Sequence, residues 1–307
     1  MREEKPSFTA DIVAAYRALE SKKPVDERVC YDPLAKDFLS AEMKAGGLRG
    51  IRRKIRRLVF ELLGPGWPAY WVARTKYLDD YLQSSLEAGL EQLVILGAGY
   101  DSRAYRFEKL KEKTKVFEVD YPATQRLKIA KLKEIFGNVP DDVIFVSIDF
   151  DNESLEPRLR ESSYDRRLKT LFIWEGVTPY IKAEAVNEVL AFVAGNSGQG
   201  SAIIFDYTIP SVVNGTCDRR EAKVWRRGAK RFGEPLQFGI DQETVEEFLG
   251  EKGFYQVNNV NSEFLKKSYF KGVNLKREIT PIMAIVHATV KPEGGCRGSD
   301  QGNYSIL

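Results

Sequence analysis

Five short apolar runs set the frame for this chain: LVILGAG (93–99), KVFEVD (115–120), DVIFVSIDF (142–150), TLFIWEG (170–176) and SAIIFDYT (201–208). Helical stretches separate several of them, notably 123–136, which starts after Pro122 and ends at Gly137, and 184–196. Runs this short and apolar suit strands buried on both faces, and their alternation with helices calls for a mostly parallel sheet covered on both sides. Two further strands, around 255–262 and 281–290, are suited to antiparallel pairing. The expectation is therefore an α/β, doubly wound, Rossmann-like sheet of seven strands. Such sheets bind ligands beyond the carboxyl ends of their strands, where the strand order reverses. That rule gathers Gly97, Asp120, Asp149 and Glu175 at one site.

The flanks read differently. Residues 1–90 form an N-terminal helical extension, with helices over VAAYRALESKK, DPLAKDFLSAEM (opened by Asp32-Pro33), IRRKIRRLVFELLG and, after the GPGWP break, roughly 69–90. On the last of these Arg74 falls on or beside the inward face, a position that requires a partner. Residues 91–291 form the main domain, interrupted by a polar, basic lid insertion at 211–234. The segment 292–307 reads as a flexible tail. The basic run 49–57 reads as the solvated face of a helix, against a minority reading as an RNA or membrane contact.

Composition narrows the partners. A net charge of +3 from 47 basic and 44 acidic residues gives little reason to expect nucleic acid. No apolar run reaches the roughly 20 residues of a membrane span, and the charged N-terminus lacks a signal-peptide core, so the expected location is cytoplasmic. Cys30, Cys217 and Cys296 suit neither a disulfide framework nor a metal site. The single histidine, His287, lies in an apolar strand and is expected to be structural.

The turn Gly97-Ala98-Gly99-Tyr100-Asp101-Ser102 lets backbone approach a ligand closely. Glu118 and Asp120, with Tyr121 beside them, end the second strand, where a carboxylate accepts the two hydroxyls of a ribose. A dinucleotide site requires a third glycine where Ser102 stands, and Asp101 would face the pyrophosphate. A cofactor without phosphate, carrying a sulfonium and an amino group, meets no such objection, and four acids round one pocket favour a cation. Asp149 is placed to bond an adenine amino group and Phe150 to pack on its ring.

The segments YWVARTKYLDDYL, LVILGAGYDSRAYRF, VFEVDYP, IDFD and FIWEGVTPYI, together with YDPLAKDFL, resemble those of the leucine carboxyl methyltransferase family, in the same order. The resemblance implies S-adenosyl-L-methionine as cofactor. It implies that Arg74 pairs with the cofactor's carboxylate, Gly97 underlies its methionine part, Asp120 holds the ribose, Asp149 and Phe150 contact the adenine, and Glu175 lies near the ammonium. It also implies that the N-terminal helices and the lid shape the acceptor pocket.

Methyl transfer from a sulfonium is chiefly a matter of alignment. A carboxylate acceptor requires no base, whereas a hydroxyl usually does. With no histidine near the site, a small carboxylic acid, or an acidic hydroxyl compound, is the expected acceptor. Arg103, Tyr105, Tyr180 and Tyr207 are candidates to position it, Arg103 by bidentate pairing. Rival readings are a protein C-terminal carboxylate or RNA as acceptor, an NAD-linked oxidoreductase, and a binding module without activity.

Overall fold

A computed structural model describes residues 8–41, 43 and 64–292. The basic run 49–57, the helix expected over 51–64 (apart from its final glycine) and the tail beyond 292 lie outside the described residues. Seven strands form one sheet: β1 (Gln92–Leu96), β2 (Lys115–Asp120), β3 (Val143–Ser147), β4 (Thr170–Trp174), β5 (Ala202–Thr208), β6 (Phe254–Val260) and β7 (Met283–Val290), in the order β3-β2-β1-β4-β5-β7-β6. The first five are mutually parallel, and β7 runs antiparallel between β5 and β6.

β1 is buried along its whole length. Its side chains alternate: Leu93 and Ile95 enter one apolar cluster, Val94 and Leu96 the other. The first cluster is roofed by α1 (Phe8–Glu20), α2 (Trp67–Glu87) and, through Leu132, α3 (Pro122–Phe136). The second is covered by the helices Leu155–Glu161, α4 (Ala183–Gly195) and Val245–Gly250. After β3 the chain returns past β1 to start β4, so the order reverses between β1 and β4. The carboxyl ends of these strands open onto a cavity of about 600 Å³. The insertion at 211–234 folds into α5 (Pro210–Asn214) and α6 (Arg220–Phe232), and α6 lines the cavity with Val224, Trp225, Gly228 and Ala229.

Two elements differ from the sequence expectation. The helix expected from Asp32-Pro33 onward is a set of turns over 33–37. The Asp32 side chain is fully buried, accepts the Ala35 amide at 3.0 Å and lies 3.2 Å from Arg17 Nε, so it fixes a local turn and not a continuing helix. Conversely, a helix over Ser262–Tyr269 follows β6, capped by Asn261 accepting the Phe264 amide at 2.9 Å. His287 lies on β7 with its ring 4.5 Å from that of Tyr81, and burial lowers its pKa to about 4. Among the described residues no helix is long and apolar enough to cross a membrane.

The start of α2 depends on Gly66, whose φ of 83° is left-handed and whose added Cβ would sit 2.3 Å from the Thr280 nitrogen. Gly137, which ends α3, has φ 82° but open space around it. Gly137→Ala should therefore cost only the left-handed penalty, about 1–2 kcal/mol. Gly66→Ala should cost clearly more, because backbone must also move. Urea unfolding of the two variants checks this, and equal losses would refute the packing argument.

Candidate functional site

The cavity is lined at the sheet edge by Gly97, Ala98, Gly99, Asp101, Asp120, Tyr121, Asp149, Phe150 and Glu175, by Arg74 from α2, and by Tyr180 from the turn after β4. The glycine turn comes close enough to its neighbours that a Cβ on Gly97, at φ 65°, would lie 2.2 Å from Val177 Cγ2. Asp120 stands across the turn. Its Oδ2 accepts the Gly99 amide at 2.6 Å and its Oδ1 the Tyr121 amide at 2.7 Å. Burial raises its pKa to about 6 against the pull of those two amides. Asp149 accepts the Asp151 amide at 3.1 Å and the Asn152 side-chain amide at 2.9 Å, which holds its own turn at the cavity wall.

Beneath this surface runs a chain of buried ion pairs. Arg17 of α1 lies beside Asp32, and Arg106 reaches Asp32 at 4.0 Å and Asp79 at 2.6 Å. Arg103 bonds Asp79 through Nε at 2.8 Å and both Asp101 and Glu175 through Nη1, Glu175 at 2.7 Å. Arg74 Nη2 lies 2.8 Å from Glu175, and its Nη1 bonds Asp206. Four arginines and five acids leave one negative charge in excess. Burial alone would raise the Glu175 carboxyl, but Arg74 and Arg103 outweigh it and hold it well below the usual range. Asp101 is lowered likewise, chiefly by Arg103 against burial. Both are anions at neutral pH.

Four expected residues lie elsewhere. Arg103, expected to hold an acceptor, is fully buried with its Nε and Nη1 on three carboxylates, and it does not line the cavity. Tyr105 packs with Phe38 and Phe136 below the glycine turn. Glu118 shares a strand face with Asp120 but lies deeper, 2.7 Å from Lys128 Nζ, and burial raises its pKa to about 7 against that cation. Tyr207 points to the opposite face of the sheet, where its hydroxyl meets Asn259 Oδ1 at 3.0 Å.

The neighbour of Tyr207 is the residue that sequence reasoning passed over. Asp206 faces the cavity, binds Arg74, accepts the Gly176 amide at 2.6 Å and receives the Tyr70 hydroxyl at 3.3 Å. Its signal was present, because it is the one charge in the fully buried strand AIIFDYT. Arg17, Trp67, Trp71 and Trp225 also line the cavity. Arg17 donates to the Tyr100 carbonyl and so ties α1 to the glycine turn.

Removing one member of a buried ion cluster leaves its partners unpaired, at about 3–5 kcal/mol. Arg103→Met should lose stability on that scale by urea unfolding. A loss below 1 kcal/mol would mean that the chain of pairs carries no structural weight.

A model of the leucine carboxyl methyltransferase family matches residues 10–194. YktD of Bacillus subtilis, named as a candidate S-adenosyl-L-methionine-dependent methyltransferase, is 32% identical over 225 residues, 72% of each chain. A protein of Mycolicibacterium paratuberculosis with the same description is 28% identical over 263 residues, covering 84% of this chain and 86% of its own. Among solved structures, a candidate methyltransferase from Thermobifida fusca superposes with a TM-score of 0.59 at 14% identity, over 95% of this chain and 97% of that one. That likeness concerns the fold alone.

Proposed function

The chain belongs to the leucine carboxyl methyltransferase family of S-adenosylmethionine-dependent enzymes, and from that premise we propose that it methylates a carboxylate oxygen of a small, largely apolar acid.

The residues fit the cofactor. Arg74 Nε is buried without a hydrogen-bond partner, so a donor for the cofactor's carboxylate remains available beside the Glu175 anion, whose charge favours the ammonium. Asp120 keeps lone pairs for ribose hydroxyls, since each of its oxygens takes only one amide. The negative excess of the ion chain complements a molecule carrying two positive charges and one negative. When bound, the cofactor supplies a methyl group already activated by positive sulfur.

The acceptor half rests on Tyr180. Its oxygen accepts the Trp225 indole N–H at 3.0 Å, which leaves the phenol hydrogen free to be donated into the cavity. Burial pushes its pKa up to about 12, although the indole contact opposes this, so it stays a donor at neutral pH. A carboxylate oxygen held by this hydroxyl is oriented without being paired to a cation, and its nucleophilicity is kept. Walls of Trp67, Trp71 and Trp225 exclude water. In that surrounding the neutralisation of carboxylate by sulfonium is favoured over its reverse. The acceptor oxygen bonds to the methyl carbon as the carbon–sulfur bond breaks, its electron pair passing to sulfur, and no proton is moved. The observation that carries this reading is the indole-oriented phenol in an aromatic wall.

Two outcomes test it. Ionised Asp120 is the form that accepts ribose hydroxyls, and the group protonates as pH falls through about 6. The Kd for S-adenosylhomocysteine, measured by calorimetry, should be flat above pH 7 and rise about tenfold per unit below 6. Asp120→Asn should bind weakly with no such profile; an unchanged profile in that variant removes Asp120 from the ribose. Separately, Tyr180→Phe should lower kcat/KM for a methylated acid about 10- to 100-fold while leaving cofactor affinity within twofold. Full activity in that variant would discard the positioning role.

A further inference from the structure

The lid helix α6 has two unlike faces. Val224, Trp225, Gly228 and Ala229 occupy one half of it and line the cavity. At 3.6 residues per turn, Arg220, Lys223, Arg226, Arg227, Lys230 and Arg231 fall within an arc of about 140° on the opposite half, and all six are exposed. The sole acid in the helix, Glu221, is buried on the inner half, 3.6 Å from Arg219. Lys223 lies 3.0 Å from Asp218, an exposed pair that is worth little. The other five cations of the arc make no ion pair among the described residues.

A solvated helix face ordinarily mixes signs. Here Lys223 and Arg227, Arg226 and Lys230, and Arg227 and Arg231 stand four residues apart with like charge, which weakens the helix by itself. An anionic surface laid against the arc removes that repulsion. The arc offers cations and nothing else. It holds no aromatic ring on which a base stacks and no amide that reads a base edge, as nucleic-acid recognition uses. It holds no aromatic or aliphatic anchor of the kind that protein partners bury. A bilayer bearing anionic lipids requires neither and attracts each Lys or Arg held near it. With 13 residues α6 is about 20 Å long, enough to set all six cations against one plane.

We propose that the outer face of α6 docks the protein on an anionic lipid bilayer. The contact is electrostatic, and no side chain of the arc enters the acyl region. The aromatic half of the cavity then lies one helix away from the bilayer surface. The consequence for the acceptor rests on the reading of it as a largely apolar acid: such a molecule partitions into the bilayer and is taken up from there.

The test is flotation of the full chain with two sets of vesicles, phosphatidylcholine alone and phosphatidylcholine with one-third phosphatidylglycerol. At about 0.1 M salt the anionic vesicles should bind at least tenfold more tightly, and binding should vanish at about 1 M, where charges are screened within about 3 Å. The triple variant R220E/R227E/R231E should lose at least tenfold while keeping its affinity for S-adenosylhomocysteine within twofold. The triple variant K111E/K113E/K267E makes the same change in net charge on exposed residues elsewhere and should bind vesicles as the parent does. Equal binding to both vesicles, or equal loss in both variants, overturns the docking face. So does tighter binding of a short single-stranded RNA or of polyglutamate than of the anionic vesicles. Should R220E/R227E/R231E lose cofactor affinity, R220Q/R227Q/R231Q, which removes the charges without reversing them, must still lose vesicle binding, and retained binding refutes the proposal. Vesicle binding is read without any acceptor, so docking that stands while no carboxylic acid is methylated removes the acceptor reading alone.

Discussion

The buried chain of charges from Arg17 to Asp206 is the constraint on which the rest of this molecule depends. Each guanidinium would be prohibitively costly alone in the interior, and each is placed against carboxylates from another part of the chain. Arg17 brings α1, Asp32 the turn after it, Asp79 and Arg74 α2, Arg103 the helix after β1, Glu175 the end of β4 and Asp206 the middle of β5. The apolar clusters hold the sheet and helices together but are tolerant of small slides. The ion pairs are directional, so they fix where the helical cap meets the strand ends, and with it the shape of the cofactor cavity.

Much of the fold was legible because burial on both faces of a parallel sheet leaves so strong a trace in sequence. The runs beginning near 93, 115, 142, 170 and 201 each contain a strand, ending up to three residues earlier than the apolar run itself. The glycine turn and the acids at strand ends were legible for the same reason, since charges and glycines interrupt an otherwise apolar pattern. What failed was orientation. Asp206 and Tyr207 are adjacent, yet the period of two sends one to the cavity and the other to the far face. Glu118 and Asp120 share a face, and only depth separates an ion-pair partner of Lys128 from a cavity wall. Arg103 was unreadable for another reason: its three carboxylate partners come from α2, the glycine turn and β4, and no local pattern announces that they converge.

The two halves of the cavity are built on different principles. The cofactor half is polar and preorganised, with backbone amides on Asp120 and arginines on Glu175 holding anions in place before any ligand arrives. The half that we propose for the acceptor is contributed by α1, α2 and α6, elements outside the strand–helix alternation. It is aromatic, with Tyr180 and Trp225 joined in one hydrogen bond across the seam between sheet and lid. On the proposed reading, the sheet edge holds the cofactor and the surrounding helices meet the acceptor.

The ion chain also bears on how the polypeptide reaches its native form. Arg74 and its partner Asp206 are 132 residues apart, and Arg103 and Glu175 are 72 apart. As the chain emerges from the ribosome in sequence order, α2 appears long before Glu175 and Asp206, the carboxylates that pair with its Arg74. That arginine must stay hydrated until β4 and β5 have been made. The ion pairs that seat α2 on the strand ends therefore cannot form before those strands exist.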